Sequence, residues 1–229
     1  MTAKAFGPAG PRRISRFRST TEDARRPAVS KQSMERMMTE HTLGNHVDRI
    51  LFDEATIARR VAGLAVEITS NYTRDGLAKD PQGRPLLLVC ILRGALIFMA
   101  DLARHITMPI EYDLISVSSY GNGTAPGAVR LVKDLERPIE GRDVLIVEDI
   151  IDTGYTIEYL KRTLAARSPA SIGICTLIDK ASRREIPMRP DYTGFPLEED
   201  LFIVGYGMDY AELYRNLPYI GVLKQDHIR

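Results

Sequence analysis

The sequence predicts an α/β fold in which a mainly parallel, twisted sheet is flanked by helices. Leu86–Leu92 and Val144–Val147 are apolar without a break, which is the pattern of parallel strands buried on both faces. Each run is followed by apolar residues at helical spacing, over Ala95–His105 in the first case and from Ile157 to Leu164 in the second. Strands that alternate with amphipathic helices indicate this fold class.

The other elements follow in order along the chain. Glu54–Arg74 is predicted to be a helix, because apolar residues between Ile57 and Ile68 repeat on one face. Tyr120–Gly127 is too rich in glycine and proline to be regular, so it is either a mobile lid on a hairpin or an ordinary surface loop. Further strands are predicted at Ile110–Ser119, Val129–Leu135, Ser171–Ile178, Leu201–Gly207 and Tyr219–Leu223.

Length and composition limit the class of protein. The 229 residues are 44% hydrophobic and 27% charged, which suits one globular domain with an ample core. The net charge of +1 gives no overall attraction to nucleic acid or to a membrane, and Arg93 interrupts the longest apolar run. Cys90 and Cys175 each lie in an apolar run, which favours buried free thiols over a disulfide or a zinc site. These features favour a cytoplasmic protein.

The N-terminal segment differs from the rest. Residues 1–38 hold nine Lys and Arg residues and three acids, a balance of +6, with little apolar periodicity. We expect residues 1–38 to be a disordered basic arm and residues 39–229 to be the folded domain. A transit peptide, a mispredicted start before Met34, and an arm that contacts RNA remain alternatives.

The most informative stretch is Val144–Thr156, which reads as strand, acidic tip, turn and helix. Ligands of open α/β sheets bind beyond the carboxyl ends of the strands. A helix that begins there presents free N–H groups and a partial positive charge, which suit a phosphate. Gly154 allows close approach of the backbone, and Thr153 and Thr156 add hydroxyl donors.

Glu148 and Asp149 come directly before this predicted phosphate site. Acids there would repel a phosphate unless they accept hydrogen bonds from sugar hydroxyls or hold Mg²⁺. The stretch therefore favours a ribose-5-phosphate site. The alternative without a functional role is a solvent-exposed acidic turn between a strand and a helix. The chain contains neither a Walker P-loop nor a G-x-G-x-x-G that follows a strand.

Val144–Thr156 resembles the phosphoribosyl-pyrophosphate (PRPP) motif of type I phosphoribosyltransferases, and Glu148–Gly154 resembles the hypoxanthine/guanine branch of that family. The resemblance extends over roughly Leu51–Leu223 and implies a small hood subdomain formed from chain on both sides of the core. It implies transfer of 5-phosphoribosyl from Mg²⁺-bound PRPP to N9 of hypoxanthine, guanine or xanthine, in purine salvage. A homodimer or homotetramer is implied, and neither a membrane nor nucleic acid is expected as a partner.

The resemblance also implies residue roles. Asp152 is the expected catalytic residue, either as general base or acid at N7 of the purine or as a stabiliser of the developing ribose cation. The implied ribose and phosphate contacts are Glu148, Asp149, Asp152, Thr153, Gly154, Tyr155 and Thr156. The implied pyrophosphate contacts are Leu92, Arg93, Gly94 and Arg215, with a Leu92–Arg93 peptide able to adopt the cis form. Ser119 and Tyr120 match the flexible loop, Lys180, Phe202 and Ile203 match the purine contacts, and Glu148, Asp149 and Asp209 match the Mg²⁺ ligands.

Some features leave alternatives open. Tyr155 stands where some relatives have a basic residue, so phosphate binding there has to rest on amides and hydroxyls. A PRPP-sensing regulatory protein that binds RNA is a second hypothesis, supported by the basic arm. Specificity for uracil, orotate or adenine is a third, against which Lys180 and Phe202 argue.

Overall fold

The computed structural model describes residues 42–74, 76–119 and 129–228, and within them it has two sheets and three α-helices. The strands are β1 (Val47–Phe52), β2 (Leu86–Leu92), β3 (Ile110–Ser119), β4 (Val129–Lys133), β5 (Asp143–Ile151), β6 (Ser171–Asp179), β7 (Tyr192–Pro196), β8 (Ile203–Val204) and β9 (Ile220–Leu223). The α-helices are α1 (Glu54–Thr73), α2 (Leu96–His105) and α3 (Tyr155–Ala165). Short 3₁₀ helices lie at Thr42–His46, Ala181–Arg183 and Gln225–His227.

The larger sheet has six strands in the order β4-β3-β2-β5-β6-β7, and only the β3–β4 pair is antiparallel. The smaller sheet has the order β1-β9-β8 and is antiparallel. Its strands come from chain before and after the larger sheet, so it is the hood subdomain. The predicted fold class is confirmed.

Helices cover both faces of the larger sheet. Alternate residues of β2 point to opposite faces, so Leu88 packs with α1 and α2, while Val89 packs with α3. Both side chains are fully buried. The unbroken apolar run of β2 therefore reflects burial on two sides, as expected for a central strand of a parallel sheet.

The strand order creates a topological switch point between β2 and β5. The chain passes from β2 to β3 on one side, then returns to β5 and continues to β6 on the other side. Connections that leave in opposite directions open a crevice beyond the carboxyl ends of the two central strands. The residues that follow β2 and the acids at the end of β5 meet at this crevice.

Several predicted boundaries differ from the structure. The run predicted as a strand over Leu201–Gly207 is a strand only at β8, because Gly205 and Gly207 have φ angles of 101° and 100° and turn the chain. The strand predicted over Val129–Leu135 ends at Lys133. β7 was not predicted; it is short, ends in a proline, and has weak apolar character.

The structure also bears on the predictions about the cysteines and about membrane-spanning segments. Cys90 and Cys175 are buried free thiols, and burial raises the pKa of Cys90 to about 12. Of the helices in the described ranges, none combines the length and the apolar character needed to cross a membrane. Residues 1–38, and with them the predicted domain boundary, lie outside the described residues.

Candidate active site

The turn between β5 and α3 forms a small pocket. Gly154 is the N-cap of α3 with a φ of 95°, and it has no side chain with which to cap the free amides of the first turn. The carbonyl oxygen of Thr153 accepts hydrogen bonds from the amides of Glu185 and Ile186, each at 3.0 Å, which hold the turn in place. The pocket has a volume of about 90 Å³ and is lined by Glu148, Ile150, Ile151, Asp152, Thr153, Gly154, Thr156 and Ile157.

Tyr155 is not among the residues that line this pocket, and its side chain is engaged elsewhere. Its hydroxyl donates to Glu185 Oε2 at 2.9 Å, and this hydrogen bond raises the pKa of the phenol. The amides at the start of α3 and the hydroxyl of Thr156 are therefore the donors that remain for an anion, in a position where the helix dipole favours negative charge.

Of the two acids at the end of β5, Glu148 is buried and Asp149 is half-buried. Glu148 is 7% exposed, and its Oε2 atom has no hydrogen-bond partner in the described part of the chain. Burial, with a further contribution from the Asp149 charge, raises the pKa of Glu148 well above its usual value. Burial also raises the pKa of Asp149 to about 6, although a backbone hydrogen bond from Ile150 and the Arg215 charge oppose it. A cation or a hydroxyl donor would relieve both carboxylates.

The side chain of Asp149, near the end of β5, packs against Gly94 in the loop that follows β2. A Cβ atom on Gly94 would lie 1.9 Å from Asp149 Oδ2, so only glycine leaves room for this carboxylate. A Cβ atom on Gly207 would lie 2.1 Å from the carbonyl oxygen of Gly94, so the chain after β8 also contacts this loop through backbone. The peptide bond between Leu92 and Arg93 is cis.

Arg93 and Arg215 converge on one carboxylate. Arg93 Nη1 donates to Glu212 Oε2 at 2.6 Å, and Arg215 Nη2 lies 3.3 Å from the same oxygen. Arg215 also pairs with Asp209 Oδ1 at 2.8 Å and donates to the Gly207 carbonyl at 2.9 Å. Two guanidinium groups beside exposed backbone suit a diphosphate, and the structure brings together the two arginines expected there. Glu212 was not predicted.

A larger cavity of about 400 Å³ lies beside the small pocket, and the two share Ile150 and Asp152. This volume is in the range of cavities that hold small ligands. Phe202 lines it and is 41% exposed, with its ring edge-on to Tyr210 at 5.1 Å between centroids. The other lining residues are Asp149, Lys180, Arg183, Asp200, Leu201, Ile203, Met208, Asp209, Gln225 and Ile228.

Lys180 reaches this cavity from the end of β6 and is only 4% exposed. Its Nζ atom donates to Asp200 Oδ1 at 3.0 Å and to the Leu201 carbonyl at 3.1 Å. An ammonium group has three donors, so two hold it in position and a third is left for a ligand. Hydrogen bonds from Lys180 and Arg183 lower the pKa of Asp200.

Asp152 lies where the two pockets join. Its Oδ1 atom forms an ion pair with Arg183 Nε at 3.1 Å, and this oxygen accepts no hydrogen bond from the described residues. Arg183 and Asp200 were missed in the sequence. Arg183 was visible only as part of a basic cluster after β6, and Asp200 only as an acid before Phe202.

The remaining predicted residues are placed as follows. Ser119 is the last residue of β3, and Tyr120 lies outside the described residues. Ile203 begins β8. Across the described ranges, no three His, Cys, Asp or Glu side chains are grouped so as to hold a metal ion. Glu148, Asp149 and Asp209, the expected Mg²⁺ ligands, are therefore not grouped as a three-residue metal site.

An α/β sheet with a small pocket at a helix start and two acids at its switch point is the arrangement that the resemblance to phosphoribosyltransferases implies. The family model of the Phosphoribosyl transferase domain matches residues 49–211. The chain therefore belongs to the phosphoribosyltransferase family.

Similarity to individual relatives indicates which branch of the family the chain belongs to. The hypoxanthine-guanine phosphoribosyltransferase of Bacillus subtilis is 48% identical over 179 residues, which cover 78% of this chain and 94% of that protein. The hypoxanthine phosphoribosyltransferase of Salmonella typhimurium is 45% identical over 177 residues, which cover 77% and 95%. The crystal structure of a hypoxanthine phosphoribosyltransferase from Staphylococcus aureus superposes with a TM-score of 0.76 at 38% identity, over 83% of this chain and 99% of that one. Within the family, the chain falls in the hypoxanthine-guanine branch.

Proposed function

We propose that this protein transfers the 5-phosphoribosyl group of PRPP to N9 of hypoxanthine or guanine, releasing pyrophosphate and forming IMP or GMP for purine salvage. The observation that carries this proposal is the pair of adjoining cavities that share Asp152, with the acids of β5 beside them. A phosphate in the small cavity and a base in the large one place the ribose at their junction.

Each part of PRPP has a matching surface. The amides at the start of α3 hold the 5′-phosphate. Glu148 and Asp149 accept hydrogen bonds from the ribose hydroxyls. Arg93, Gly94 and Arg215 bind the pyrophosphate, after Glu212 has given up its contacts with the two arginines.

Mg²⁺ would be held by one or two of the carboxylates Glu148, Asp149 and Asp209, with oxygens of PRPP and water completing its shell. The buried, unpartnered oxygen of Glu148 and the raised pKa of Asp149 fit a cation at this place. When bound, Mg²⁺ neutralises charge on the leaving pyrophosphate.

Lys180 provides the base specificity. Its remaining N–H group donates to the 6-oxo group of an oxopurine, while Phe202 stacks on the ring and the backbone of Ile203 contacts its edge. Adenine carries an amino group at the same position and would set a donor against a donor, which a polar site rejects strongly.

Asp152 acts beside the reacting bond. Its carboxylate accepts the proton of N7 or stabilises positive charge on the ribose, and both roles need a carboxylate at the junction of the two cavities. Ser119 and Tyr120, the pair that the resemblance assigns to a closing loop, are expected to help exclude water from the reaction.

The test is pyrophosphate release by the purified protein from PRPP, Mg²⁺ and hypoxanthine, guanine, xanthine or adenine. We expect release with the oxopurines and none with adenine. Asp152→Asn should lower kcat by about a hundredfold or more, the usual contribution of a general acid or base. Asp48→Asn, which changes an exposed acid of β1, is the matched control and should keep the wild-type rate.

Two different outcomes would contradict two different parts of the proposal. No release with any oxopurine would contradict the reaction itself. A full rate in Asp152→Asn would remove Asp152 from the mechanism and leave the reaction in place.

A further inference from the structure

We propose that Arg183 is a positioning residue that fixes the spacing between Asp152 and Lys180, and so aligns the base for the reaction. The inference rests on the proposed function and adds to it a residue that the reaction itself does not require. Its observation is a chain of alternating charges along one wall of the large cavity, running from Asp152 through Arg183 and Asp200 to Lys180.

The contacts in this chain are short. Arg183 Nε lies 3.1 Å from Asp152 Oδ1, and Arg183 Nη1 lies 3.1 Å from Asp200 Oδ1. The same Asp200 oxygen accepts a hydrogen bond from Lys180 Nζ at 3.0 Å. Arg183 therefore spans two acids from different segments, and one of these acids holds the lysine.

Local structure sets Arg183 on the same side as Lys180. Lys180 directly precedes a single turn of 3₁₀ helix, Ala181–Arg183, and Arg183 ends it; the amide of Arg183 donates to the carbonyl of Lys180 at 3.1 Å. Side chains three residues apart in a 3₁₀ helix project in the same direction. The guanidinium group is a rigid fork that can contact two carboxylates at once, which a lysine ammonium does less well.

Stability alone does not account for this chain. The side chains of Arg183, Asp152 and Asp200 are 45%, 40% and 61% exposed. Ion pairs this exposed contribute little to folding, since water and salt screen them. Their effect is on position: each acid is held by a cation at the wall of the cavity that receives the base.

The chemistry of an oxopurine makes that position matter. N7 and the 6-oxo group lie on one edge of the ring and are read together. Lys180 donates a hydrogen bond to the 6-oxo oxygen and Asp152 contacts N7. Both side chains must therefore reach the same edge of the base at the same time. Arg183 does not contact the base; through its two acids it sets the separation between the groups that do.

The first experiment compares Arg183→Gln with Arg183→Lys and with Arg137→Gln. Arg137 is the matched control because it is exposed and pairs with a carboxylate, Glu111, outside the cavity. We expect Arg183→Gln to lower kcat/KM for hypoxanthine by about tenfold or more, since misplacing a reacting group by an ångström can cost on the order of a hundredfold. KM for PRPP and the Tm should stay at wild-type values. Arg183→Lys should recover part of the loss, and Arg137→Gln should behave as wild type.

The second experiment combines Arg183→Gln with Asp200→Asn in a double-mutant cycle. If both substitutions break the same chain, the double variant should be only slightly worse than the worse single variant, rather than showing the product of the two losses.

Three results would overturn the inference. The first is an unchanged kcat/KM for hypoxanthine in Arg183→Gln, and the second is a rise in KM for PRPP as large as the fall in kcat/KM for hypoxanthine. The third is a double variant whose loss equals the product of the two single losses. Each of these needs an active wild-type protein. A wild-type protein that forms no nucleotide would instead overturn the proposed function, and this inference with it.

Discussion

The acids at the end of β5 are costly to keep charged in the absence of ligand. Glu148 and Asp149 lie in a place where burial disfavours their ionised forms, and Glu148 has an oxygen without a partner in the described structure. Functional sites often accept such a cost, because the same carboxylates become favourable when a cation or hydroxyl groups bind.

This cost predicts that Asp149→Asn stabilises the ligand-free protein at high pH. Burial raises the pKa of Asp149 from 3.8 to about 6, so the folded state is favoured while the group is protonated, and that advantage disappears as the pH rises through 6. At pH 8 with EDTA, removing the charge should add about 2 kcal/mol to the free energy of unfolding, which is roughly 5 °C in Tm. The gain should shrink as the pH is lowered from 6 toward 4, while PRPP turnover is lost.

Asp134→Asn is the control of opposite sign. A hydrogen bond from Arg167 lowers the pKa of Asp134, so this carboxylate stabilises the fold above its unfolded pKa. Its removal should slightly lower the Tm at pH 8. A lower Tm for Asp149→Asn at pH 8 would contradict the conclusion that the charge of Asp149 destabilises the ligand-free fold.

At the scale of elements, the proposed phosphate pocket depends on how α3 begins. The residue before a helix usually caps the first amides with its own side chain, but a cap would occupy the donors that a phosphate needs. Gly154 avoids this, and its φ of 95° turns the chain from β5 into α3. The turn is held by its contacts with Glu185 and Ile186 rather than by a cap.

We therefore expect Gly154→Ala to be harmful and Gly63→Ala to be beneficial. At position 154 an alanine would have to adopt a positive φ angle, and its Cβ atom would lie 3.2 Å from Arg184 Cδ. This strain should cost about 1–2 kcal/mol of stability, and the distorted turn should raise KM for PRPP. At Gly63, inside α1, a Cβ atom would lie 3.5 Å from Arg60 Nη1, an ordinary contact, so alanine should add about 0.5–1 kcal/mol. Chemical denaturation measures both, and a neutral Gly154→Ala would contradict the role given to this turn.

At the scale of the whole molecule, the site exists because two sheets and distant segments meet. The loop after β2 and the acids of β5 form one part of the candidate site, and the chain around β8 lines the large cavity beside them. Gly94 and Gly207 let the two parts approach through backbone. A homodimer or homotetramer stays a prediction, which sedimentation velocity would measure.

The basic arm at residues 1–38 allows a test of the second functional hypothesis. Because the whole described site lies in residues 92–228, deleting residues 1–38 should leave kcat and KM for hypoxanthine and PRPP unchanged. Binding to RNA at low salt by the full chain, lost on deletion and steeply reduced by added salt, would support a regulatory role. Absence of binding at low salt would exclude that role.

Much of the architecture followed from local patterns. The uninterrupted apolar runs of β2 and β5 indicated buried parallel strands, and the change to helical spacing after Gly154 indicated where the site would lie. β7 escaped prediction because a short strand ending in proline has no distinctive periodicity. The run around β8 was predicted too long because two glycines with positive φ end it, and apolar character alone does not show this.

The order of residues along the chain was enough to place an acid pair, a glycine and threonines in one turn, because their roles depend on neighbours within a few positions. The contacts of Arg183 with Asp152 and Asp200, and of Glu212 with Arg93 and Arg215, could not be read in the same way. These partners are brought together by strand order and by the hood. Long-range packing sets which charges become neighbours, whereas local spacing sets only which residues share a turn or a face.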